Sequence, residues 1–396
     1  MDNASYFEKL IGSVTRIARH SYYPGKEHTV DLCMEELEEL LHSGRITVEQ
    51  LDALRELLLG EGPASLSKAA LHGRGHEGAK SAKTRIAIAC QGGGSHTAFT
   101  AGVLQEILDR RDDLEIVALS GTSGGAICAL LAWDGLVRGD PQRAIDQLQR
   151  FWQDISANSP IDAFLNYSIQ MASRMCAIFS VPEIGHYSDP SWGQEQLRQI
   201  LERRVDFEQD RSLAGRNGVP ALLVGAVDVR NRTFDVFRGP EISADRILAS
   251  AAIPDFAPMV ALDDRFYWDG FFSQNPPIRQ LTDFHPDEVW VIQINGANFK
   301  GSTRTAGDLS DRRSALSGNL TLEQELRFIQ KINEWLQRGV LIDSGYRHIE
   351  VHRIVLERDL DTISKWDRSG SFIRSMMDYG RARAKEFLDE RAKVAV

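Results

Sequence analysis

The chain has 396 residues, of which 42% are hydrophobic and 26% charged, a composition that excludes a chain disordered throughout. Its formal net charge of −10 and the lack of a long basic run argue against a nucleic acid partner and against electrostatic docking on anionic lipid. The longest apolar run is too short to span a bilayer, and the first residues lack the pattern of a signal peptide. We therefore expect a soluble, cytoplasmic protein whose isolated cysteines stay reduced.

The first 60 residues are predicted to form a separate helical region. Its second half holds two leucine-rich segments with helical spacing, and between them Gly44 is followed by Thr47 and Gln50 in a capping-box arrangement. This pattern predicts a helical hairpin that serves packing or homo-oligomer formation, or alternatively docks a partner protein. Residues 61–83 are rich in Gly, Ala, Ser and Lys without apolar periodicity, which predicts a flexible linker.

Beyond the linker, predicted strands and helices alternate. Residues 86–90 form a short apolar run stopped by glycines, which predicts a buried strand. A Gly-rich loop and a helix follow, then a strand over residues 114–119 and an apolar helix over residues 125–136. This order predicts a parallel sheet with right-handed crossovers. Later strands are predicted over residues 221–229, 233–238, 288–295 and 348–356, and later helices around residues 322–338 and 371–391.

A Gly-x-Ser-x-Gly turn lies between the second strand and its helix. Gly121, Ser123 and Gly125 occupy its fixed positions. A tight strand-to-helix turn needs small flanking residues, because the central serine is strained and its Oγ is raised above the sheet. The pattern predicts a nucleophile elbow with Ser123 as the nucleophile, and its alternative is a purely structural turn.

A second glycine turn, formed by Gly92, Gly93 and Gly94, opens the first helix. Uncovered amide groups beside a helix N-terminus bind an anion or a developing oxyanion. A nucleotide phosphate is disfavoured as that anion, because Thr97 stands where a dinucleotide fingerprint has its third glycine and no Gly-Lys-Ser/Thr follows. Acyl transfer explains both turns, with the three loop glycines and Gly124 as the predicted oxyanion donors.

A serine nucleophile also needs a base. Asp269 ends a short apolar and aromatic segment of the kind that brings an acid to the mouth of a sheet, and His285 follows it. Two mechanisms stay open. In a Ser123–Asp269 dyad the carboxylate accepts the serine proton, whereas a Ser-Asp-His triad would include His285. A carboxylate is a workable base where burial raises its pKa and amides stabilise the charge on the substrate.

Four stretches of the chain occur in a recognisable order: Gln91 to Thr97, Gly121 to Gly125, Ala249 to Pro254 and Trp268 to Gly270. In these stretches, and over residues 85–295 as a whole, the chain resembles patatin-like phospholipases. The resemblance implies a three-layer α/β/α fold with a central, mostly parallel sheet. It also implies a lipid acyl hydrolase that uses a Ser-Asp dyad, here Ser123 and Asp269, with neither a metal nor a cofactor.

The residue patterns and the resemblance together divide the chain into four predicted segments. They are the helical region of residues 1–60, the linker of residues 61–83, a patatin-like catalytic domain of residues 84–300, and an extension of residues 301–396 packed on that domain. Within the domain, residues 151–187 are rich in apolar and methionine side chains. This insertion is predicted either to cap an acyl-chain cleft or to form an ordinary pair of core helices.

Two places depart from the family's pattern. Its glycine loop usually ends in a basic residue and a glycine, whereas this chain has His96 and Thr97, and Phe271 stands where the family has a small residue. Neither change removes a reacting atom. His96 is predicted either to order the loop through a hydrogen bond or to be merely structural.

We therefore expect a serine acyl hydrolase that cleaves fatty acyl esters of phospholipids or lysophospholipids, with transient contact to a membrane surface. Two alternatives are kept. One is a non-catalytic lipid-binding or scaffold protein, in which the changes at Thr97 and Phe271 signal lost activity. The other is a Ser-Asp-His esterase or thioesterase.

Overall fold

The computed structural model describes residues 83–179, 191–254, 257–272, 274–295, 306–341, 345–358, 360 and 362–394. The predicted N-terminal hairpin and nearly all of the predicted linker lie outside these residues. Residues 82–334 and 345–396 form one compact unit, and the fold described below is that of this unit. The described residues Trp335 to Leu341 belong to a second unit and contain the last turn of one long helix.

The strands of this unit form one mixed, mostly parallel sheet in the order β5-β6-β3-β2-β1-β7-β8, with β4 paired to β3. The pairs β8–β7, β7–β1, β1–β2 and β2–β3 are parallel, whereas β4, β5 and β6 are joined by antiparallel pairing at the β3 side. The strands are β1 (Thr84–Cys90), β2 (Leu114–Gly121), β3 (Ala221–Asp228), β4 (Thr233–Arg238), β5 (Val260–Leu262), β6 (Arg265–Asp269), β7 (Glu288–Gln293) and β8 (Glu350–Val355).

Helices cover both faces of the sheet. They are α1 (Ala98–Asp109), α2 (Gly124–Val137), α3 (Pro141–Ile155), α4 (Pro160–Phe179), α5 (Ser191–Arg204), α6 (Phe207–Leu213), α7 (Ala244–Ser250), α8 (Ala306–Gln337) and α9 (Gly370–Val394). No helix in the described ranges combines the length and the apolar character that a bilayer crossing requires.

The central strand β1 shows why the architecture has three layers. Ile86 and Ile88 pack into a core shared with α1, α2 and α9, whereas the alternate residues Ala87 and Ala89 pack into a second core shared with α8. Because successive side chains of a strand point to opposite faces, a strand covered on both sides must be apolar at every position. The continuous apolar run from Ile86 to Cys90 meets this requirement, and the predicted three-layer α/β/α fold is confirmed.

The C-terminal helix α9 packs on α1 at very short range. A Cβ atom on Gly102 of α1 would lie 2.0 Å from the carbonyl oxygen of Met377, and one on Gly380 of α9 would lie 2.1 Å from that of Phe99. Each helix therefore presents a glycine to the other helix's backbone. The predicted C-terminal strand also pairs with the central sheet, as β8 beside β7.

The predicted insertion divides into a buried and an exposed part. Phe151 and Trp152 of α3 are buried in the main core. In α4, by contrast, large apolar side chains are exposed: Ile161, Phe164, Tyr167 and Met171. The prediction of ordinary core helices therefore fits α3, but it does not fit the first half of α4. The cap stays a prediction, because residues 180–190 lie outside the described part of the chain.

The parallel register sets the position of the candidate site. Strand β1 pairs with β2 from Thr84 opposite Leu114 to Cys90 opposite Gly121. The loops that follow these two strands therefore leave the sheet side by side, at its carboxyl edge. Both predicted glycine turns lie at this edge.

Candidate active site

Ser123 lies in the tight turn between β2 and α2. Its backbone has φ 55 and ψ −132, a conformation that is strained for a residue with a Cβ atom. Gly125 lies so close to the end of β1 that a Cβ atom there would be 2.2 Å from the carbonyl oxygen of Cys90. The amides of Gly125 and Ala126 both donate to the carbonyl of Thr122, which starts the helix. Ser123 therefore stands at the N-terminus of α2, held by a turn that tolerates no larger neighbour.

Asp269 is the last residue of β6 and is fully buried. Burial raises the pKa of its carboxyl to about 7, against smaller opposing effects of the Phe271 amide and the Ser123 hydroxyl. The Phe271 amide donates to Oδ1 at 2.7 Å. Antiparallel pairing of Asp269 with Ala226 of β3 brings the end of β6 to the same edge of the sheet as Ser123.

The other oxygen of Asp269, Oδ2, has no hydrogen-bond partner in the described part of the chain. The Ser123 hydroxyl is near enough to lower the pKa of Asp269, although no hydrogen bond of ordinary distance and angle joins the two side chains. Catalytic hydrogen bonds are often long before substrate binds. A buried carboxylate oxygen without a partner, next to a strained serine, is chemically suited to receive the serine proton.

Gly92 lies directly against the serine turn. A Cβ atom on Gly92 would be 2.9 Å from Cβ of Ser123 and 2.6 Å from the carbonyl oxygen of Thr122, so only glycine fits. The Gly92 amide donates to Oδ1 of Asn275 at 2.7 Å. The sequence predicted that the amides of all four glycines are oxyanion donors. The Gly92 amide differs from this expectation, because it already donates to Asn275.

The other three predicted oxyanion donors are different. The amides of Gly93, Gly94 and Gly124 donate to no acceptor within the described ranges. Thr97 connects two of these residues: its Oγ1 donates to the carbonyl of Gly94 at 2.6 Å, and a Cβ atom on Gly124 would lie 2.3 Å from that Oγ1. Thr97 thus packs the glycine loop against the start of α2, and its departure from the family pattern is accommodated.

His96 is 3% exposed and joins the glycine loop to a C-terminal segment. Its Nε2 lies 2.7 Å from Oγ of Ser364, in the 3₁₀ turn Thr362–Trp366. Burial, and to a lesser degree the charge of Lys365, lowers the pKa of His96 to about 3, so the ring is neutral. This contact is the one that the loop-ordering hypothesis requires, and its effect on activity stays a prediction.

Phe271 acts on Asp269 through its main chain. Its ring lies elsewhere, with Nζ of Lys365 5.8 Å from the ring centroid and Gly318 of α8 beside it. A large side chain at this position therefore leaves the amide that binds Asp269 in place.

His285 does not belong to this site. It is exposed, ends a short 3₁₀ turn before β7, and its carbonyl accepts a hydrogen bond from Arg85 at the start of β1. Because β1 and β7 are parallel, this is the amino edge of the sheet, and the seven residues of β1 span about 20 Å between the edges. The alternative of a Ser-Asp-His triad through His285 is therefore wrong.

Three further residues at the site had no predicted role. The Ser250 hydroxyl accepts a hydrogen bond from the Ser123 amide, Asn275 holds Gly92, and Oε1 of Gln91 accepts the amides of Ile294 and Asn295. Gln91 and Ser250 were within motifs quoted from the sequence, so their presence was a signal. Asn275 offered none beyond its closeness to Asp269 in the chain.

One group of side chains within the described ranges has the composition of a metal site. Ligand atoms of Glu288, Glu350 and His352 lie within 4.8 Å of one another at the amino edge of β7 and β8. Arg391 already donates two hydrogen bonds to Glu288, at 2.8 and 3.2 Å. The cluster is therefore an ion-pair network far from Ser123, and the expected absence of a metal and a cofactor stays a prediction.

Several solved structures are similar to this chain at low sequence identity. Among solved structures, VipD from Legionella pneumophila aligns over 79% of this chain and 67% of its own, with 13% identity and a TM-score of 0.35. The type III effector ExoU, described in a complex from Pseudomonas aeruginosa, aligns over 78% of this chain and 54% of its own, with 14% identity and a TM-score of 0.32. The chain thus spans about half the length of ExoU.

No curated protein sequence matches the chain significantly. A family model described as Patatin-like phospholipase matches residues 88–282, a range that contains both glycine turns, Ser123 and Asp269. The chain therefore contains a patatin-like phospholipase domain over these residues, a domain that implies lipid acyl hydrolase activity at the level of the family.

Proposed function

We propose that this protein is a serine hydrolase that cleaves a fatty acyl ester of a phospholipid or lysophospholipid through an acyl-enzyme on Ser123. One observation carries the proposal. A serine with a strained backbone at a helix N-terminus faces a fully buried carboxyl group whose pKa is raised to about 7. That pKa suits a general base at neutral pH.

In the first step, Oδ2 of Asp269 takes the proton of the Ser123 hydroxyl while Oγ attacks the ester carbonyl carbon. The bond from that carbon to the leaving alcohol then breaks, and the alcohol takes the proton from Asp269. Water attacks the acyl-enzyme in the same way, again giving its proton to Asp269. The fatty acid leaves as Ser123 recovers its proton, so Asp269 acts as base and acid in turn.

The negative charge that forms on the carbonyl oxygen needs hydrogen-bond donors. The amides of Gly93, Gly94 and Gly124 are the candidates, because none of them has an acceptor among the described residues. The N-terminus of α2 adds a favourable dipole at Ser123. Gly92 serves a different purpose in this proposal: it lets the loop approach Ser123, and its own amide stays with Asn275.

The test compares wild type, Ser123→Ala and His285→Ala on a p-nitrophenyl ester series and on a panel of phospholipids and lysophospholipids. Ser123→Ala should lower kcat by about 10³-fold or more, because the nucleophile is lost. His285→Ala is the matched control and should stay within about twofold of wild type, since His285 lies at the far edge of the sheet. Full activity of Ser123→Ala would contradict the proposal.

A fluorophosphonate probe separates this proposal from a non-catalytic lipid-binding protein, because the probe reacts with an activated serine whatever the substrate. Labelling of wild type but not of Ser123→Ala supports the hydrolase. An unlabelled and inactive wild type would favour the lipid-binding alternative.

A further inference from the structure

The turn of residues 250–252 contacts the backbones of both proposed dyad residues. Oγ of Ser250 accepts a hydrogen bond from the amide of Ser123 at 3.0 Å. Two residues later, the carbonyl of Ala252 accepts a hydrogen bond from the amide of Asp269 at 2.9 Å. Ser123 and Asp269 come from different strands, and this turn is bonded to each of them directly.

Ser250 is also bonded to the strand that lies between the two. Its hydroxyl donates to the carbonyl of Gly225 in β3 at 2.7 Å. On one side of Gly225, Val224 pairs with Gly121 of β2, and on the other, Ala226 pairs with Asp269 of β6. The hydroxyl thus sits where the strand that leads to Ser123 and the strand that ends in Asp269 meet on β3.

Ser250 is fully buried, and its hydroxyl uses its donor and its acceptor on these two backbone groups. The amide of Ser123 needs a partner because Ser123 follows the end of β2 and is the N-cap of α2, so neither element supplies an acceptor for it. A backbone held in a strained conformation persists only when its surroundings over-determine it. The Ser250 hydroxyl is one of the groups that do so here.

We propose that the 250–252 turn fixes the spacing between Ser123 and Asp269, and that Ser250 is a positioning residue for acyl transfer. This inference rests on the proposed function for its kinetic consequence, and its structural content is independent of turnover. Ser250 touches no reacting atom. It acts through the backbone of the nucleophile, whereas Ala252 acts through the backbone of the base.

The main test is Ser250→Ala, which removes the hydroxyl that accepts from the Ser123 amide and donates to the Gly225 carbonyl. We expect kcat on a soluble p-nitrophenyl ester to fall by about 10- to 100-fold with KM within about twofold, because misplacement of a reacting group affects the chemical step. Ser250→Thr keeps the hydroxyl and should recover most of the lost kcat.

The matched control is Ser243→Ala, at the other end of the same helix. Ser243 caps α7, its side chain accepting the amide of Arg246, and it has no bond to Ser123 or Asp269. Its loss should lower the thermal unfolding midpoint without lowering kcat. Equal losses of kcat in Ser243→Ala and Ser250→Ala would show a general effect of α7 stability and overturn the proposal, as would unchanged kcat in Ser250→Ala.

Hydrogen exchange of the peptide that contains Ser123 provides a readout without turnover. Exchange should be faster in Ser250→Ala than in wild type and unchanged in Ser243→Ala, because the Ser123 amide loses its acceptor only in the first variant. Should wild type prove inactive and unlabelled by a fluorophosphonate, the proposed function fails while this exchange result still decides the positioning role. Equal exchange in wild type and Ser250→Ala would overturn it.

Discussion

Two regions of the molecule bury a carboxyl group whose pKa is raised to about 7: the sheet edge around Asp269 and the helical layer around Asp210. Desolvation is the main cause in both. Around Asp210 the carboxylate of Asp134 raises the pKa further, while Arg138 lowers it. Around Asp269 the opposing groups are an amide and the hydroxyl of Ser123. The same shift therefore arises in two different settings.

The difference lies in what each carboxyl group faces. Asp210 belongs to an ion network in which Arg138 bonds both Asp134 and Asp210, and Arg143 bonds Asp134 at 2.7 Å. This network joins α2, α3 and α6 and contains no nucleophile. Asp269 faces Ser123. A raised pKa alone thus does not identify a catalytic acid, and the neighbouring group decides which of the two has chemistry to perform.

The largest expected effect is on kcat, and it distinguishes Asp269 from Asp210. Asp269→Asn should lower kcat by about 10²- to 10⁴-fold, because an amide cannot accept the serine proton. Asp210→Asn, the matched control, should keep kcat within about threefold, since Asp210 touches no reacting group. Ester hydrolysis by the purified variants measures both. Comparable losses of kcat in Asp269→Asn and Asp210→Asn would contradict the assignment of catalysis to Asp269 alone.

A smaller effect concerns the pH dependence of kcat/KM. The base must be ionised, so kcat/KM should fall about tenfold for each pH unit below the raised pKa of Asp269, about 7, and level off above it. Asp210→Asn should retain this profile, because the titrating group is Asp269. A shift of the pH profile of kcat/KM in Asp210→Asn would show that Asp210 contributes to the ionisation, and would contradict its assignment to Asp269.

The smallest effect concerns the free energy of unfolding. Because the folded pKa of Asp269 lies above the ordinary value of 3.8, ionisation of this group destabilises the fold. The cost is absent below about pH 4, where folded and unfolded states are both protonated, and complete above about pH 7. Asp269→Asn keeps the acceptor for the Phe271 amide and removes the charge. It should raise the free energy of unfolding at pH 8 by about 1–2 kcal/mol, and hardly at pH 4, in urea titrations. A less stable variant at pH 8 would contradict this sign.

Much of the fold could be predicted from the sequence, because it depends on local patterns. Apolar runs bounded by glycines located β1 and β2 within a residue or two, and the alternation of strands and helices gave the parallel pairing. The short strand β5 has only three residues and carries too little pattern to be recognised. The position of β8 in the sheet also required the structure, since strand order depends on packing between distant segments.

The candidate site could be predicted where chemistry and local geometry coincide. The turn chemistry around Ser123 identified that residue because a strained strand-to-helix turn restricts its neighbours. Distances between segments are not encoded locally, and so the sequence left a triad with His285 open beside the Ser123–Asp269 dyad. The parallel register of β1 and β7 then placed His285 at the other edge of the sheet. The contacts of Ser250 and Asn275 depend on pairing between segments more than 100 residues apart, and no local pattern reports them.

The glycine contact between α1 and α9 has a consequence for how the chain folds as it is synthesised. Helix α1 follows directly on the glycine loop, yet the backbone that lies against its Gly102 belongs to α9, near the other end of the chain. A nascent chain that has emerged from the ribosome as far as Asp269 holds both proposed reacting groups but lacks this cover. The domain is therefore complete only when α9 has been translated, and until then the surface of α1 around Gly102 is open to non-native contacts.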